Sequence, residues 1–105
     1  MPKETILIAD DDRITVQILS NCLRGLGYEI SVTADAMQAV MYSMRNPVSA
    51  IFLDIKMPGG TGVDVLKRLK SSKKTSHLPV IIITGSNDPN LPKIVKDLGA
   101  EEFIP

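Results

Sequence analysis

Ile6-Leu7-Ile8-Ala9-Asp10-Asp11-Asp12 runs from four apolar side chains straight into three carboxylates. A second stretch repeats the pattern, with Ala50-Ile51-Phe52-Leu53 ending in Asp54. Continuous apolar runs of this length read as strands covered on both faces. A charge left inside such a core without a partner is strongly disfavoured, so the acids mark strand ends. In an open parallel sheet the carboxyl ends of the strands form the rim where ligands bind. Asp10, Asp11 and Asp54 brought to one rim repel one another unless a cation lies between them. The pattern points to a divalent-metal site with one carboxylate left to react.

Outward from these runs, apolar segments alternate with helix-period segments, the order of βαβ units around a parallel sheet. The first strand covers residues 5–9. Asp12 then serves as the N-cap of a helix whose stripe is Val16, Leu19, Cys22, Leu23 and Leu26, and Gly27 stops it as the C′ residue. Residues 28–33 alternate as a strand half exposed on one face. Asp35 caps a second helix, carrying Met37, Val40, Met41 and Met44, which Asn46-Pro47 ends.

After the strand at residues 50–53, Pro58, Gly59 and Gly60 make a turn-rich loop. Val63, Leu66 and Leu69 mark a third helix with Lys67, Arg68 and Lys70 toward solvent. Val80–Ile83, the most apolar strand, is placed near the sheet centre. Pro89 and Pro92 confine a fourth helix to residues 92–98, and residues 102–104 read as a fifth strand.

With 105 residues and 44% hydrophobic content, the chain suits one small domain around one mostly aliphatic core. Twelve basic and twelve acidic residues balance, and no basic stripe with interleaved aromatics exists, which argues against direct nucleic-acid binding. The apolar runs are far too short to span a bilayer, and Asp10 to Asp12 interrupt any signal-peptide pattern. The single cysteine, Cys22, cannot form an internal disulfide, and the expected location is the cytoplasm. Cys22 is expected as a small core residue, His77 as a solvated loop side chain, and the methionines at 37, 41, 44 and 57 as core and loop packing. The basic run from Lys67 to Lys74 is expected as a solvated face.

Over essentially its whole length the chain resembles a receiver domain of the two-component response regulators. The resemblance rests on Asp10-Asp11 after strand one, Asp54 after strand three, and Asp54-Ile55-Lys56-Met57-Pro58-Gly59-Gly60-Thr61-Gly62, which matches the family's D-x-x-M-P-x-x-x-G. Thr84 after strand four and Gly99-Ala100 before strand five complete it. It implies a flavodoxin-like, doubly wound α/β fold with a parallel five-stranded sheet of order 2-1-3-4-5. It implies a phosphoacceptor signalling switch, not a metabolic enzyme, with self-phosphorylation and self-dephosphorylation as partial activities.

Under the resemblance Asp54 takes the phosphoryl group from a phosphohistidine on a histidine kinase or phosphotransfer protein. Mg²⁺ is held by the side chains of Asp11 and Asp54, the backbone carbonyl of Lys56, and Asp10 through water. Thr84 donates its hydroxyl to a phosphoryl oxygen and moves inward, coupled to Phe103 as the aromatic of strand five. Lys56 and Ser86 flank the attacking water and tune the lifetime of the phosphoryl group. An output domain or downstream protein reads the state, and no membrane is involved.

The chain departs from the family after Pro105, where a phosphoryl-contacting lysine and a fifth helix would follow. A single receiver domain over residues 1–105, truncated after strand five, is the expectation. Apolar surface on strands one, three and five and on the first helix is then expected to face water, open to self-association.

Two rivals keep the fold class. In one, a receiver-like interaction module acts without phosphorylation. In the other, a small phosphohydrolase of haloacid dehalogenase type uses Asp10 as nucleophile, although Ile14 stands where Thr or Val is expected and no later acidic pair follows an apolar strand. A flavodoxin-like nucleotide or flavin binder is disfavoured, because its first loop should present glycines and amides to phosphate rather than three acids.

Overall fold

The computed structural model describes residues 3–57, 59–83 and 89–104, with the side chain of Phe103 also left aside. Five strands, β1 (Thr5–Ala9), β2 (Glu29–Thr33), β3 (Ala50–Asp54), β4 (Val80–Ile83) and β5 (Glu102–Ile104), pair in parallel in the order β2-β1-β3-β4-β5. The order is the expected one, and β4 lies one strand away from the centre, which β3 occupies. Four helices connect them: α1 (Arg13–Gly25), α2 (Ala36–Arg45), α3 (Gly62–Ser71) and α4 (Leu91–Asp97). Between β3 and α3 the chain makes a two-residue antiparallel ribbon, Lys56–Met57 against Gly60–Thr61.

Helix boundaries follow local chemistry. Asp12 caps α1, accepting from the Ile14 amide and from the Thr15 hydroxyl at 2.6 Å. At the other end Gly27 takes φ +97°, its amide donates to the Arg24 carbonyl, and the Tyr28 amide donates to the Leu23 carbonyl. That pair of bonds closes the helix in the manner left-handed glycine permits. The Asp35 carboxylate accepts from the Gln38 amide at 2.8 Å to start α2. Thr61 and Asp64 form a reciprocal capping box at the start of α3, which the hydrophobic spacing alone did not reveal.

Side-chain alternation along the strands divides the core in two. Leu7, Ala9, Ile51, Leu53, Val80 and Ile82 pack with residues of α2, α3 and α4 on one face. Ile6 and Ile8 pack with Leu23, Leu19 and Val16 of α1 on the other. A fully buried Leu or Ile contributes about 1.5–3 kcal/mol relative to exposure, so the first and larger cluster dominates.

The structure corrects four expectations. On α2 the buried stripe is Ala36, Ala39, Val40 and Ser43, which leaves Met37 57% and Met41 41% exposed, not packed in the core. On α1 the inward residues include Ser20 and Leu23, and Cys22 falls with Ile14 and Ile18 on a side turned from the sheet, so it is exposed. On the α1 face, Ile6 and Ile8 of β1 are covered, against expectation, because α1 lies over them, whereas Ile104 of β5 stays 48% exposed. Lys70, placed toward solvent by the sequence, is half-buried and donates to the Leu78 carbonyl at 2.7 Å.

Thr33, at the end of β2, buries its hydroxyl without a hydrogen-bond partner among the described residues. An unsatisfied buried hydroxyl destabilises, and valine matches its shape. Thr33→Val should therefore raise the urea midpoint, by about 1 kcal/mol in unfolding free energy. A lower midpoint would show that the hydroxyl is partnered.

Candidate functional site

The register carries β1 and β3 to their ends side by side, with Ala9 opposite Leu53. The next residues on the two strands are Asp10 and Asp54. Oxygens of Asp10, Asp11 and Asp54 all lie within 4.8 Å of one another. The three acids read from the sequence thus meet at one point. Asp12 stands apart from this cluster, because the Thr15 hydroxyl and the Ile14 amide occupy its carboxylate and hold its pKa below the ordinary range.

The environments of the three differ. Asp10 is 4% exposed, with one oxygen accepting from the Asp12 amide at 2.9 Å and its own amide donating to the Thr33 carbonyl. Asp54 is half-buried and accepts from the Lys56 amide at 3.4 Å, whereas Asp11 is exposed. Burial raises the Asp10 pKa above its usual value. Burial, followed by repulsion from Asp10, pushes Asp54 up to about 6. Burial is the first cause of both shifts, because each carboxylate sits in a partly dry site.

That donor set fits a hard divalent cation. Three carboxylate groups within reach of one ion supply oxygen ligands and neutralise its charge, and Mg²⁺ suits such sites while keeping several waters. Asp54 is only partly buried, and Asp11 and Lys56 are exposed.

The backbone beyond Asp54 is held closely. The Gly62 amide donates to the Ile55 carbonyl at 2.8 Å. A Cβ at Gly62 would fall on the Asp54 carbonyl oxygen and stand 2.8 Å from Ile55 Cα. The glycine closing D-x-x-M-P-x-x-x-G is thus required by packing against the backbone of Asp54 and Ile55. Met57 is buried and anchors the ribbon to the core, while Lys56 beside it is exposed. Of the other expected site residues, Thr84 and Ser86 lie outside the described residues. Phe103 pairs with Ile82 through its backbone in β5.

Comparison with known proteins agrees with this arrangement. The family model of the response regulator receiver domain matches residues 6–105. The chain is 31% identical over 105 residues to the two-component response regulator ORR12 of Oryza sativa subsp. japonica, covering 99% of this chain and 87% of that one. The share of their own length that it spans in curated relatives runs from 22% to 87%. Among solved structures, the response regulator receiver domain from Rhodospirillum rubrum superposes with a TM-score of 0.86 at 29% identity, covering 95% of this chain and 78% of that one. The receiver domain of sensor histidine kinase PA1611 from Pseudomonas aeruginosa, with a magnesium ion coordinated in its active site cleft, shares the fold with a TM-score of 0.86 at 22% identity, covering 98% and 84%. The chain belongs to the response regulator receiver domain family.

Two outcomes test the site. Gly62→Ala should destabilise the domain by about 2–3 kcal/mol, because the displaced atoms are backbone; a melting temperature equal to the parent's would show that the loop yields. The second concerns pH. A carboxyl that holds its proton more tightly in the folded chain stabilises the fold below its ordinary pKa, near 3.8, and that contribution is lost as pH rises through about 6. In metal-free buffer at neutral pH, Asp54→Asn should therefore be more stable than the parent by about 1–2 kcal/mol. The gap should close near pH 4 and should shrink when Mg²⁺ is added to the parent. A gap of the same size at both pH values would sink the charge-repulsion account.

Proposed function

We propose that this receiver domain works as a signalling switch in which Asp54 accepts a phosphoryl group and Asp10, Asp11 and Asp54 hold Mg²⁺. The observation that supports this most directly is the meeting of the three carboxylates at the ends of β1 and β3. One Asp54 oxygen attacks the phosphorus of a phosphohistidine. The P–N bond breaks, the imidazole leaves and takes its proton from water, and the product is an acyl phosphate. The attacking group needs no general base once ionised. Its raised pKa, about 6, still leaves it mostly ionised at neutral pH.

The chain's own residues divide the remaining work. Asp10, buried and oriented by the Asp12 amide, keeps a negative charge against the site. Asp11, exposed, closes the ligand set from the solvent side. The Lys56 amide fixes the rotation of the Asp54 carboxylate, and the Lys56 carbonyl is assigned to the metal by family resemblance. When bound, Mg²⁺ supplies the positive charge that lets an anionic phosphoryl donor approach a carboxylate.

Thr84 is assigned the hydroxyl contact to the phosphoryl group, Phe103 the aromatic that responds to it, and Lys56 and Ser86 the tuning of its lifetime, all by resemblance. The donor is a histidine kinase or phosphotransfer protein in the cytoplasm. An output domain or downstream protein reads the result. Among the described residues no helix is long and apolar enough to cross a membrane.

Intact mass after incubation with acetyl phosphate and Mg²⁺ tests the assignment. The parent should gain the mass of one phosphoryl group, and Asp54→Asn and an EDTA-treated parent should gain none. Loss of labelling in Asp10→Asn with full labelling of Asp54→Asn would overturn it in favour of Asp10 as nucleophile.

A further inference from the structure

Away from the acidic rim, α2 and α3 pack side by side and leave a groove of about 390 Å³ between their outer faces. Ala36, Val40 and Val65 form its floor. Met37 stands on the α2 wall and Lys67 and Arg68 on the α3 wall. Met41, just outside the groove lining, follows Met37 by one turn of α2, and the two are 41% and 57% exposed. An adjacent pair of exposed methionines is unusual for a surface with no use for it, and flexible thioethers suit adaptable helix-binding grooves.

The charge on this face is mainly positive, with Lys67 and Arg68 against the single acid Asp64. α2 contains no acidic residue and ends in Arg45. The one acid of α3, Asp64, is engaged with Thr61 in the capping box. Among the described residues Lys67 and Arg68 have no ion-pair partner, although the whole chain is electrically balanced. The groove therefore combines an apolar strip with a wall whose two cations outnumber its one acid.

We propose that this groove binds an acidic amphipathic helix of a partner protein. Its apolar residues, spaced at i, i+3, i+4 and i+7, would lie on Met37, Met41 and Val40, and its carboxylates would face Lys67 and Arg68. Ten-residue helices such as α2 and α3 extend about 15 Å, enough for roughly three turns of a docked helix. A second copy of this chain offers no suitable occupant. α1 and α2 carry no acid, and α3 and α4 carry one each beside two or more cations. The proposal does not rest on phosphoryl chemistry at Asp54.

The test uses a fluorescein-labelled helical peptide with leucines at i, i+3, i+4 and i+7 and glutamates elsewhere, against the same peptide with lysines for glutamates. Fluorescence anisotropy with this chain should show the glutamate peptide binding at least about tenfold tighter at low salt, with the difference shrinking as salt is raised. Lys67→Glu/Arg68→Glu should weaken it about tenfold or more, and Met37→Ala/Met41→Ala should weaken both peptides. Circular dichroism checks that each variant folds, and Arg68→Gln serves if the double charge reversal does not. No saturable binding, equal affinity for both peptides, or indifference to the Lys67 and Arg68 changes would each overturn the proposal. So would sedimentation showing a dimer of this chain that Lys67→Glu/Arg68→Glu dissociates, since the groove would then be occupied by a second copy.

Discussion

The repulsion between Asp10 and Asp54 is the constraint around which the domain is organised. Two carboxylates at the ends of neighbouring strands can coexist only if something offsets their charge, and the fold offsets it in part. One amide donates to each group, from Asp12 and from Lys56. Neither bond cancels the burial that raises both pKa values. The residual instability is what makes the rim a binding site: a cation that lowers it stabilises the folded chain by linkage, and the same cation prepares Asp54 to meet an anion.

Holding that repulsion in place requires rigid flanks. β1 and β3 are among the best-buried parts of the molecule, with Leu7, Ile8, Ala9, Ile51 and Leu53 inaccessible to solvent. Parallel pairing on both sides of each strand fixes their axial positions, so neither acid can slide away from the other. Close packing of Gly62 on the Asp54 and Ile55 backbone removes the remaining freedom at the end of β3.

Much of this was legible in the residues because it follows from short-range rules. The strand ends were marked by acids after apolar runs, the caps by Asp12 and Asp35, and the end of α1 by Gly27. The sheet order and the meeting of Asp10, Asp11 and Asp54 came through the family resemblance and agree with the register found. What escaped depends on helix phase and on backbone approach. A stripe of Met37, Val40, Met41 and Met44 looks helical in a list, yet only the sheet decides that Ala36 and Ala39 face inward. Cys22 went astray for the same reason on α1. The capping box had a visible signal in Thr61 and Asp64, three residues apart, which the search for apolar spacing passed over. The role of Gly62 had a weaker one, a glycine at the first position of a helix, and only coordinates show the carbonyl it must avoid.

The outward methionines connect that lesson to the site. Gly59 and Gly60, in the turn of the ribbon that begins two residues after Asp54, also border the groove between α2 and α3, and a Cβ on Gly60 would touch the Ala36 side chain at 3.4 Å. The segment leading from Asp54 therefore ends against the N-terminus of α2. The Asp54 backbone is closely approached by Gly62 on one side, and Gly60 lies beside Ala36 on the other. The acidic rim and the groove between α2 and α3 are thus joined in sequence by the short ribbon that follows Asp54. Close packing transmits displacement where a looser loop would absorb it. The exposed methionines therefore stand on the helix against which the ribbon from Asp54 packs.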